Sequence, residues 1–303
     1  MPKLDLKSSV RRWVLGELLL NEEDDTLRRE LEEKDVHELL IIYHNWITRF
    51  VQQRPRRVHQ SAALATNPLA AQFEAPLAQI VADIENGCAL TRYLSKRILV
   101  VFQSPGRSTR LQDRRDLDLL LNDWGMHHLH LSTEVREDGF VNRTRPLLFV
   151  IFKPDDAYLL DIMDHGSWTS RRLLEILVRE FPDSCGFHVI KDAIDLASNH
   201  SENDHQRLRN AGINTAFMID GKAIMPWGGM VSTGTTIAAT RGADALLLAV
   251  QKFEEDWNAE PNKVRSLLTR HGVDLPDDAV LEFIIDCKGP GVLEMRTRTL
   301  LRL

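Results

Sequence analysis

Hydrophobic residues recur at helical spacing through the first part of this 303-residue chain. Apolar side chains three and four residues apart form one stripe around residues 15–19 and another around residues 39–46. The pattern predicts helices within residues 10–53. The second helix is expected to end at Arg54-Pro-Arg-Arg57, because proline disfavours helix in the residue before it. A further helix is expected over residues 74–94.

The pattern changes to alternation in the centre of the chain, where apolar and polar side chains take turns from Met126 to Thr133. Two strongly apolar segments follow, at residues 146–153 and 157–163, and Pro154-Asp-Asp between them is typical of a tight turn. These segments predict three consecutive antiparallel strands. Helical periodicity then predicts a closing helix over residues 167–181.

Two hairpin signals follow in the C-terminal third of the chain. The segment from Phe217 to Met225 is interrupted by Asp220-Gly221, a pair that supplies the positive φ angles of a two-residue turn. Residues 280–287 and 292–301 are expected to form the second hairpin, with its turn at Gly289-Pro-Gly291.

Glycines at residues 228–234 precede a helix expected around residues 242–257, which is the general arrangement for phosphate binding at a helix N-terminus. No Gly-Lys-Ser/Thr follows, so we expect a flexible turn rather than a Walker A loop. The elements together predict an α+β fold with N-terminal helices, a central antiparallel β-meander with flanking helices, and C-terminal β-hairpins plus a helix. We expect the regions to be residues 1–103, 104–184 and 185–303.

The bulk composition is that of a globular protein, with 43% hydrophobic and 27% charged residues. A net charge of −6 argues against a protein coated in nucleic acid, although clustered arginines can still form a local basic face. No apolar run is long enough to span a bilayer, and the N-terminal residues lack the pattern of a signal peptide. Cys88, Cys185 and Cys287 have neither disulfide nor metal-site spacing. We therefore expect a cytoplasmic protein with buried thiols and no membrane partner.

The most chemically distinctive segment is the histidine-rich strand from Trp124 to Ser132. Successive side chains of a strand point to opposite faces, so His128 and His130 share one face with Met126. His127 lies on the other face, with Leu129, where we expect core. The informative pair is therefore His128 and His130, whose imidazoles can meet one ligand.

The predicted meander brings the ends of its strands together. The end of the first strand, Arg143 and Arg145 before the second, and Asp164 and His165 after the third should meet at one edge of the sheet. Strands one and three lie about 10 Å apart, a distance that suits a phosphodiester held between histidines. Imidazoles act as acid and base near neutral pH, and arginine binds phosphate.

These considerations predict a site with two kinds of residue. The candidate catalytic residues are His128, His130, His165 and Asp164, and the candidate substrate-binding residues are Arg143, Arg145, Arg54, Arg56 and Arg57. The last three are expected in a basic loop that contacts phosphate or an acidic partner. Two other interpretations remain open for the histidines. They can be hydrogen-bonded core residues, or they can be metal ligands.

The order of a helix, an antiparallel meander and a closing helix over residues 107–182 resembles the compact core of the RelE and HigB group of bacterial ribonuclease toxins. That resemblance implies RNA cleavage by basic and histidine side chains, which activate a 2′-hydroxyl and hold the phosphate. The segments Tyr43-His-Asn-Trp46, Pro55-Arg-Arg-Val-His59 and Trp124 to Leu131 resemble those of an uncharacterised bacterial family, which implies no activity.

Three hypotheses follow for the function. The first is a metal-independent ribonuclease of a bacterial toxin or antiphage system, which needs no cofactor and has RNA, and a possible protein partner, as its partners. The second is a non-catalytic module in which the arginine clusters bind nucleic acid or protein. The third is a metal-dependent hydrolase centred on the histidine strand.

Overall fold

The computed structural model describes residues 3–20, 24–104, 110–183, 186–193, 195–196, 200–286 and 288–303. The fold is α+β, as the sequence predicts. Its helices are α1 (Leu6–Leu18), α2 (Asp25–Glu32), α3 (Val36–Ile47), α4 (Ala62–Ala65), α5 (Pro68–Gln72), α6 (Glu74–Glu85), α7 (Leu119–Trp124), α8 (Arg171–Glu180), α9 (Glu202–Asn210), α10 (Ile237–Ala259) and α11 (Pro261–Arg270). Its strands are β1 (Arg57–Gln60), β2 (His127–His130), β3 (Pro146–Phe152), β4 (Asp156–Asp164), β5 (Phe187–Val189), β6 (Phe217–Ile219), β7 (Lys222–Pro226), β8 (Leu281–Asp286), β9 (Gly289–Glu294) and β10 (Leu300–Arg302). None of the described helices is long and apolar enough to cross a membrane.

The chain divides into two compact units, one of residues 45–237 and the other of residues 1–44 and 238–303. The regions 1–103, 104–184 and 185–303 stay a prediction about domain organisation.

The main sheet of the larger unit has the strand order β1-β4-β3-β2. Strands β2, β3 and β4 pair antiparallel in sequence, which confirms the predicted meander. Strand β1 runs parallel to β4 at the edge of the sheet, where a helix end and a basic loop were expected. The backbone N–H of Arg57 donates to the carbonyl of Asp155 at 2.9 Å, so pairing with a distant segment determines the conformation of this short stretch.

Both faces of the main sheet are buried. Leu129, Leu148 and Val150 pack into one core cluster with Ile80 and Ile84 of α6. The opposite face contributes a second cluster, which contains residues of β3, β4 and α8: Leu147, Phe149, Leu160, Leu173, Leu174 and Leu177. The central strand β3 is therefore apolar at successive positions, as expected of a strand that is covered on both sides.

Two predicted helix ends are wrong. Helix α3 stops at Ile47 rather than near residue 53, and α6 stops at Glu85 rather than near residue 94. Gly87 explains the second end, because its φ of +71° is left-handed. A Cβ there would also lie 2.6 Å from the backbone N of Pro55, so the chain at this point accepts only glycine without displacement.

The Asp-Gly hairpin is confirmed in the second sheet of the larger unit, whose order is β5-β7-β6. Asp220 and Gly221 have φ angles of +50° and +73°, the pair of positive values that a two-residue turn of this type requires. The turn sequence therefore fixes the register of β6 and β7 locally.

The glycine-rich segment at residues 228–234 packs closely against α7. A Cβ at Gly228 would lie 2.3 Å from the carbonyl oxygen of Asp123, and one at Gly234 would lie 2.7 Å from Leu117 Cδ1. The side chain of Asn122 donates to the carbonyl of Gly234 at 2.8 Å. Close packing thus accounts for these glycines, and the backbone turns here, with the N–H of Gly234 donating to the carbonyl of Val231 at 2.8 Å.

The smaller unit contains the three-stranded sheet β10-β9-β8. The predicted second hairpin is confirmed, but its turn position is wrong. Gly289-Pro-Gly291 belongs to β9 and pairs with β8, with Gly289 opposite Asp286. The expectation of buried thiols is wrong for Cys88, which is exposed, and Cys185 and Cys287 lie outside the described residues.

We predict that Gly228→Ala lowers the free energy of unfolding by about 1–3 kcal/mol, because the new methyl group meets a backbone carbonyl that cannot move freely. The midpoint of thermal unfolding measures the effect. Gly16→Ala is the matched control, since nothing lies within 4 Å of a Cβ at this position inside α1. It should leave the midpoint unchanged or raise it. Gly228→Ala melting at or above the parent temperature would contradict this account of the loop.

Candidate functional site

The histidine strand alternates as its sequence predicts. His128 lies opposite Phe149 and His130 opposite Leu147, and both partners belong to the core cluster on the α8 side of the sheet. Leu129 packs into the cluster on the other side. The face that carries His128 and His130 is therefore mostly apolar core. The two histidine rings lie at the border of that core, where they line a cleft.

His130 is buried, with 3% of its surface exposed. Its Nδ1 accepts a hydrogen bond from the backbone N–H of Thr144 at 3.1 Å. The neutral ring must therefore carry its hydrogen on Nε2. Burial, followed by the charges of His128 and Arg143, lowers the pKa of His130 to about 4. At neutral pH this side chain is an uncharged donor through Nε2.

His165 follows β4 and reaches the same edge of the sheet. Its backbone N–H donates to the carbonyl of Arg145 at 2.8 Å, and its side chain is exposed. Burial of part of the ring lowers its pKa, and the charges of His128, Arg143 and Arg97 act in the same direction. His165 is therefore neutral at pH 7, which leaves a ring nitrogen able to accept a proton.

Trp168 lies between two of the histidines. Its ring makes edge contacts with His128 and with His165, each with 4.8 Å between ring centroids. Contact with one rigid ring fixes both imidazoles relative to each other.

Asp118 connects His128 to helix α7. One carboxylate oxygen, Oδ1, accepts from the backbone N–H of Leu121 at 3.1 Å and caps the helix. The other, Oδ2, lies 3.6 Å from Nδ1 of His128. The carboxylate is thus held in place by the helix and can pair with His128 when that histidine is protonated.

His128, His130, His165 and Trp168 line one cleft with a volume of about 730 Å³. The cleft lies wholly within the unit of residues 45–237. Its lining is strongly basic, because it includes Arg49, Lys96, Arg97, Arg114, Arg115, Arg136, Arg143 and Arg209. Among the lining residues that the structure describes, Asp118 is the one carboxylate. This excess of positive charge, in a concave site with imidazoles, suits an anionic ligand.

Five of the cations are engaged by other groups of the protein. The guanidinium of Arg49 is buried and donates to the carbonyls of Arg97 and Val100 at 3.0 and 2.7 Å. Arg114 pairs with Asp116, Arg209 pairs with Asp123, and Arg136 and Lys96 share Asp138. Burial lowers the pKa of Arg49 to about 10, with Asp116 and Asp118 opposing the change. These five side chains therefore stabilise the segments that line the cleft through contacts within the protein.

Arg97, Arg115 and Arg143 form the second group. Their side chains are exposed at the cleft, and within the described ranges they make no ion pair and no side-chain hydrogen bond. Sequence reasoning found Arg143 from its place before β3. It missed Arg97 and Arg115 as site residues, although Arg115 belongs to a visible arginine cluster.

The remaining predicted residues lie outside the cleft lining. Arg145 and Asp164 face each other at 3.8 Å, with side chains that are 82% and 62% exposed. Arg54 pairs with Asp155 at 2.6 Å.

The other two arginines near β1 are also engaged by the protein. Arg57 pairs with Asp156 at 2.9 Å. Arg56 is buried and donates to the carbonyls of Lys153 and Gln52 at 2.8 and 2.9 Å. A role for any of the predicted catalytic or substrate-binding residues stays a prediction.

Asp118 and Trp168 were also missed, because no periodicity or motif marks them. Asp118 appears in the sequence only as a helix cap, and Trp168 only as an aromatic residue in a turn. Both reach the histidines through folding of distant segments.

A metal centre would need a set of ligands at this cleft. In the part of the chain that the structure describes, no group of three or more His, Cys, Asp or Glu side chains is arranged to hold a metal ion.

No family model matches the chain, and comparisons with curated proteins and with solved structures give no match.

We predict that the ring of His130 titrates near pH 4, well below the ordinary value of 6.5. Between these values the unfolded chain binds a proton that the folded chain does not, so the free energy of unfolding falls as the pH falls. Each such proton contributes a slope of about 1.4 kcal/mol per pH unit. Ring titration by NMR and urea unfolding from pH 7 to pH 4 measure both effects.

His127 and His205 should also lower the free energy of unfolding as the pH falls, because burial lowers the pKa of each to about 4. His130→Gln should therefore remove about one proton from the pH dependence of unfolding and leave the rest. Titration of the His130 ring at the ordinary histidine pKa of 6.5 would contradict this prediction, because it would show that water solvates the ring.

Proposed function

We propose that the protein is a metal-independent ribonuclease that acts in the cytoplasm. The observation that carries the proposal is the placement of His128, His130 and His165 in one basic cleft, around Trp168. Acid–base groups beside unpaired arginines suit transfer of a phosphodiester to the neighbouring 2′-hydroxyl. Action within a bacterial toxin or antiphage system, with a protein partner, belongs to the same proposal.

The contacts of each histidine suggest a separate role for it. His165, neutral and exposed, accepts the proton of the 2′-hydroxyl. His128, with Asp118 at 3.6 Å to stabilise its protonated form, donates a proton to the departing 5′-oxygen. His130 donates through Nε2 to a non-bridging oxygen, because Thr144 already engages Nδ1.

The reaction is balanced without metal or water. The 2′-oxygen forms a bond to phosphorus while the bond from phosphorus to the 5′-oxygen breaks. One proton enters His165 and one leaves His128, and exchange with solvent restores both rings. The products are a 2′,3′-cyclic phosphate and a 5′-hydroxyl end. Arg143 and the Nε2–H of His130 offset the charge that develops on the phosphate.

We predict that the purified protein cleaves single-stranded RNA in the presence of EDTA and leaves 2′,3′-cyclic phosphate ends. His165→Ala and His128→Ala should each lower kcat by about 10²–10⁴-fold, the usual contribution of a general acid or base. His130→Gln, which keeps an N–H donor, should retain more activity than His130→Ala. Gel analysis of end-labelled RNA measures rates and end groups.

Arg270→Ala is the control for this series, since the exposed Arg270 lies outside the cleft lining. It should cleave like the parent. Cleavage that requires a divalent ion, or that survives loss of both His128 and His165, would reject the proposed mechanism.

A second candidate is a non-catalytic module that binds nucleic acid or a protein. Arg97, Arg115 and Arg143 favour it, because they have no ion-pair partner in the part of the chain that the structure describes and provide binding charge whether or not chemistry follows. Under this candidate RNA binds in a salt-dependent manner and is recovered intact in every condition.

A further inference from the structure

The basic cleft contains two kinds of cation, and the difference between them bears on the ligand. Arg49, Arg114 and Arg209 are engaged by carbonyls or carboxylates of the protein. Arg97 and Arg115 are not, and neither is Arg143, among the residues that the structure describes. Cations that the protein leaves unpaired in a shared cleft are the ones available to an anionic ligand.

The geometry of the cleft places one of these arginines at the histidines. Arg143 precedes Thr144, whose backbone N–H donates to Nδ1 of His130 at 3.1 Å. The charge of Arg143 acts on both His130 and His165. Arg143 is therefore placed at the reacting centre, and Arg97 and Arg115 line the same cleft.

The size of the cleft limits what it can hold. A volume of about 730 Å³ is within the range of sites that enclose a small ligand or a short segment of a polymer. His130 is nearly fully buried, so a phosphate that reaches its Nε2 must enter the concavity. The backbone of a single strand can bend into such a site, whereas a stacked and paired duplex presents its phosphates on a convex surface.

We propose that the cleft binds a single-stranded RNA segment through three phosphates, one at each of Arg143, Arg97 and Arg115, with the scissile phosphate at Arg143. The identity of the ligand as RNA rests on the proposed function. The number of phosphates rests on the three arginines, and the place of the scissile phosphate rests on Arg143 beside Thr144. Contacts with phosphates position the RNA strand but do not distinguish one base from another. We therefore expect the cleft to select single strands over duplexes without preference for base sequence.

Binding of an uncleavable 2′-O-methyl tetranucleotide, which has three linking phosphates, tests the proposal. At pH 8, where imidazoles with ordinary or lowered pKa values are neutral, the logarithm of the association constant should fall with the logarithm of salt concentration with a slope of about 2. Arg97→Ala, Arg115→Ala and Arg143→Ala should each reduce that slope by about 0.7, because single strands release about 0.7 counterion per neutralised phosphate. Arg270→Ala removes an exposed arginine outside the cleft and should leave the slope unchanged.

Oligonucleotide length gives an independent measurement. A dinucleotide should show a slope of about 0.7, and an octanucleotide should show no larger slope than the tetranucleotide. A slope that continues to rise with length, duplex binding as tight as single-strand binding, or a slope unchanged in the three arginine variants would each overturn the proposal. Equal melting temperatures of the variants and the parent establish that folding is not the cause.

The binding assay separates this inference from the proposed function, because its probe cannot be cleaved. A tetranucleotide bound with the expected slope by a protein that never cuts RNA supports the three-phosphate site and rejects catalysis. RNA cleavage by His165 and His128, with a slope that none of the three arginines changes, supports catalysis and rejects the three-phosphate site.

Discussion

The register of β2, β3 and β4 brings His130 and His165 to one edge of the main sheet. His130 lies opposite Leu147, and Asp164 lies opposite Pro146, so the ends of the three strands meet at one edge of the sheet. Thr144 can then donate its backbone N–H to His130. A slip of one residue would move His130 to the other face of β2, where the α6 core lies. Because both faces of β3 are buried, apolar packing opposes such a slip.

The cleft concentrates positive charge at a place where imidazoles are partly shielded from water. Burial disfavours the charged form of His130 and His165, and nearby cations act in the same direction. A bound phosphate would reverse the effect of those cations, since a negative charge favours imidazolium. Under the proposed function, proton transfer and phosphate binding would therefore be linked.

Local sequence patterns predict much of this fold. The alternation of Met126 to Thr133 and the Asp220-Gly221 turn determine strands through neighbouring residues, and both are confirmed. Strand β1 was missed because its backbone pairs with β4, nearly one hundred residues away. The helix ends at Ile47 and Glu85 were also misplaced, and α6 ends where Gly87 adopts a left-handed φ beside the distant Pro55.

The candidate site was predictable to a smaller extent. Strand alternation and the meander brought His128, His130, His165 and Arg143 to one region of the sheet. The same reasoning also placed Arg145 there, yet this side chain is directed to an exposed contact with Asp164.

Alternation says nothing about residues beyond the strand ends, where the backbone is irregular. Arg97, Arg115 and Trp168 come from turns and short 3₁₀ segments, whose positions only the folded chain defines.

The linkage between phosphate and histidine is the central claim of this account. NMR titration of the ring protons of His130 and His165, with and without the uncleavable tetranucleotide, tests it most directly. The account predicts that the bound strand raises the pKa of both rings, because its phosphate offsets the charges of Arg143 and Arg97. Saturating tetranucleotide that leaves both titrations unchanged would contradict a phosphate at these histidines.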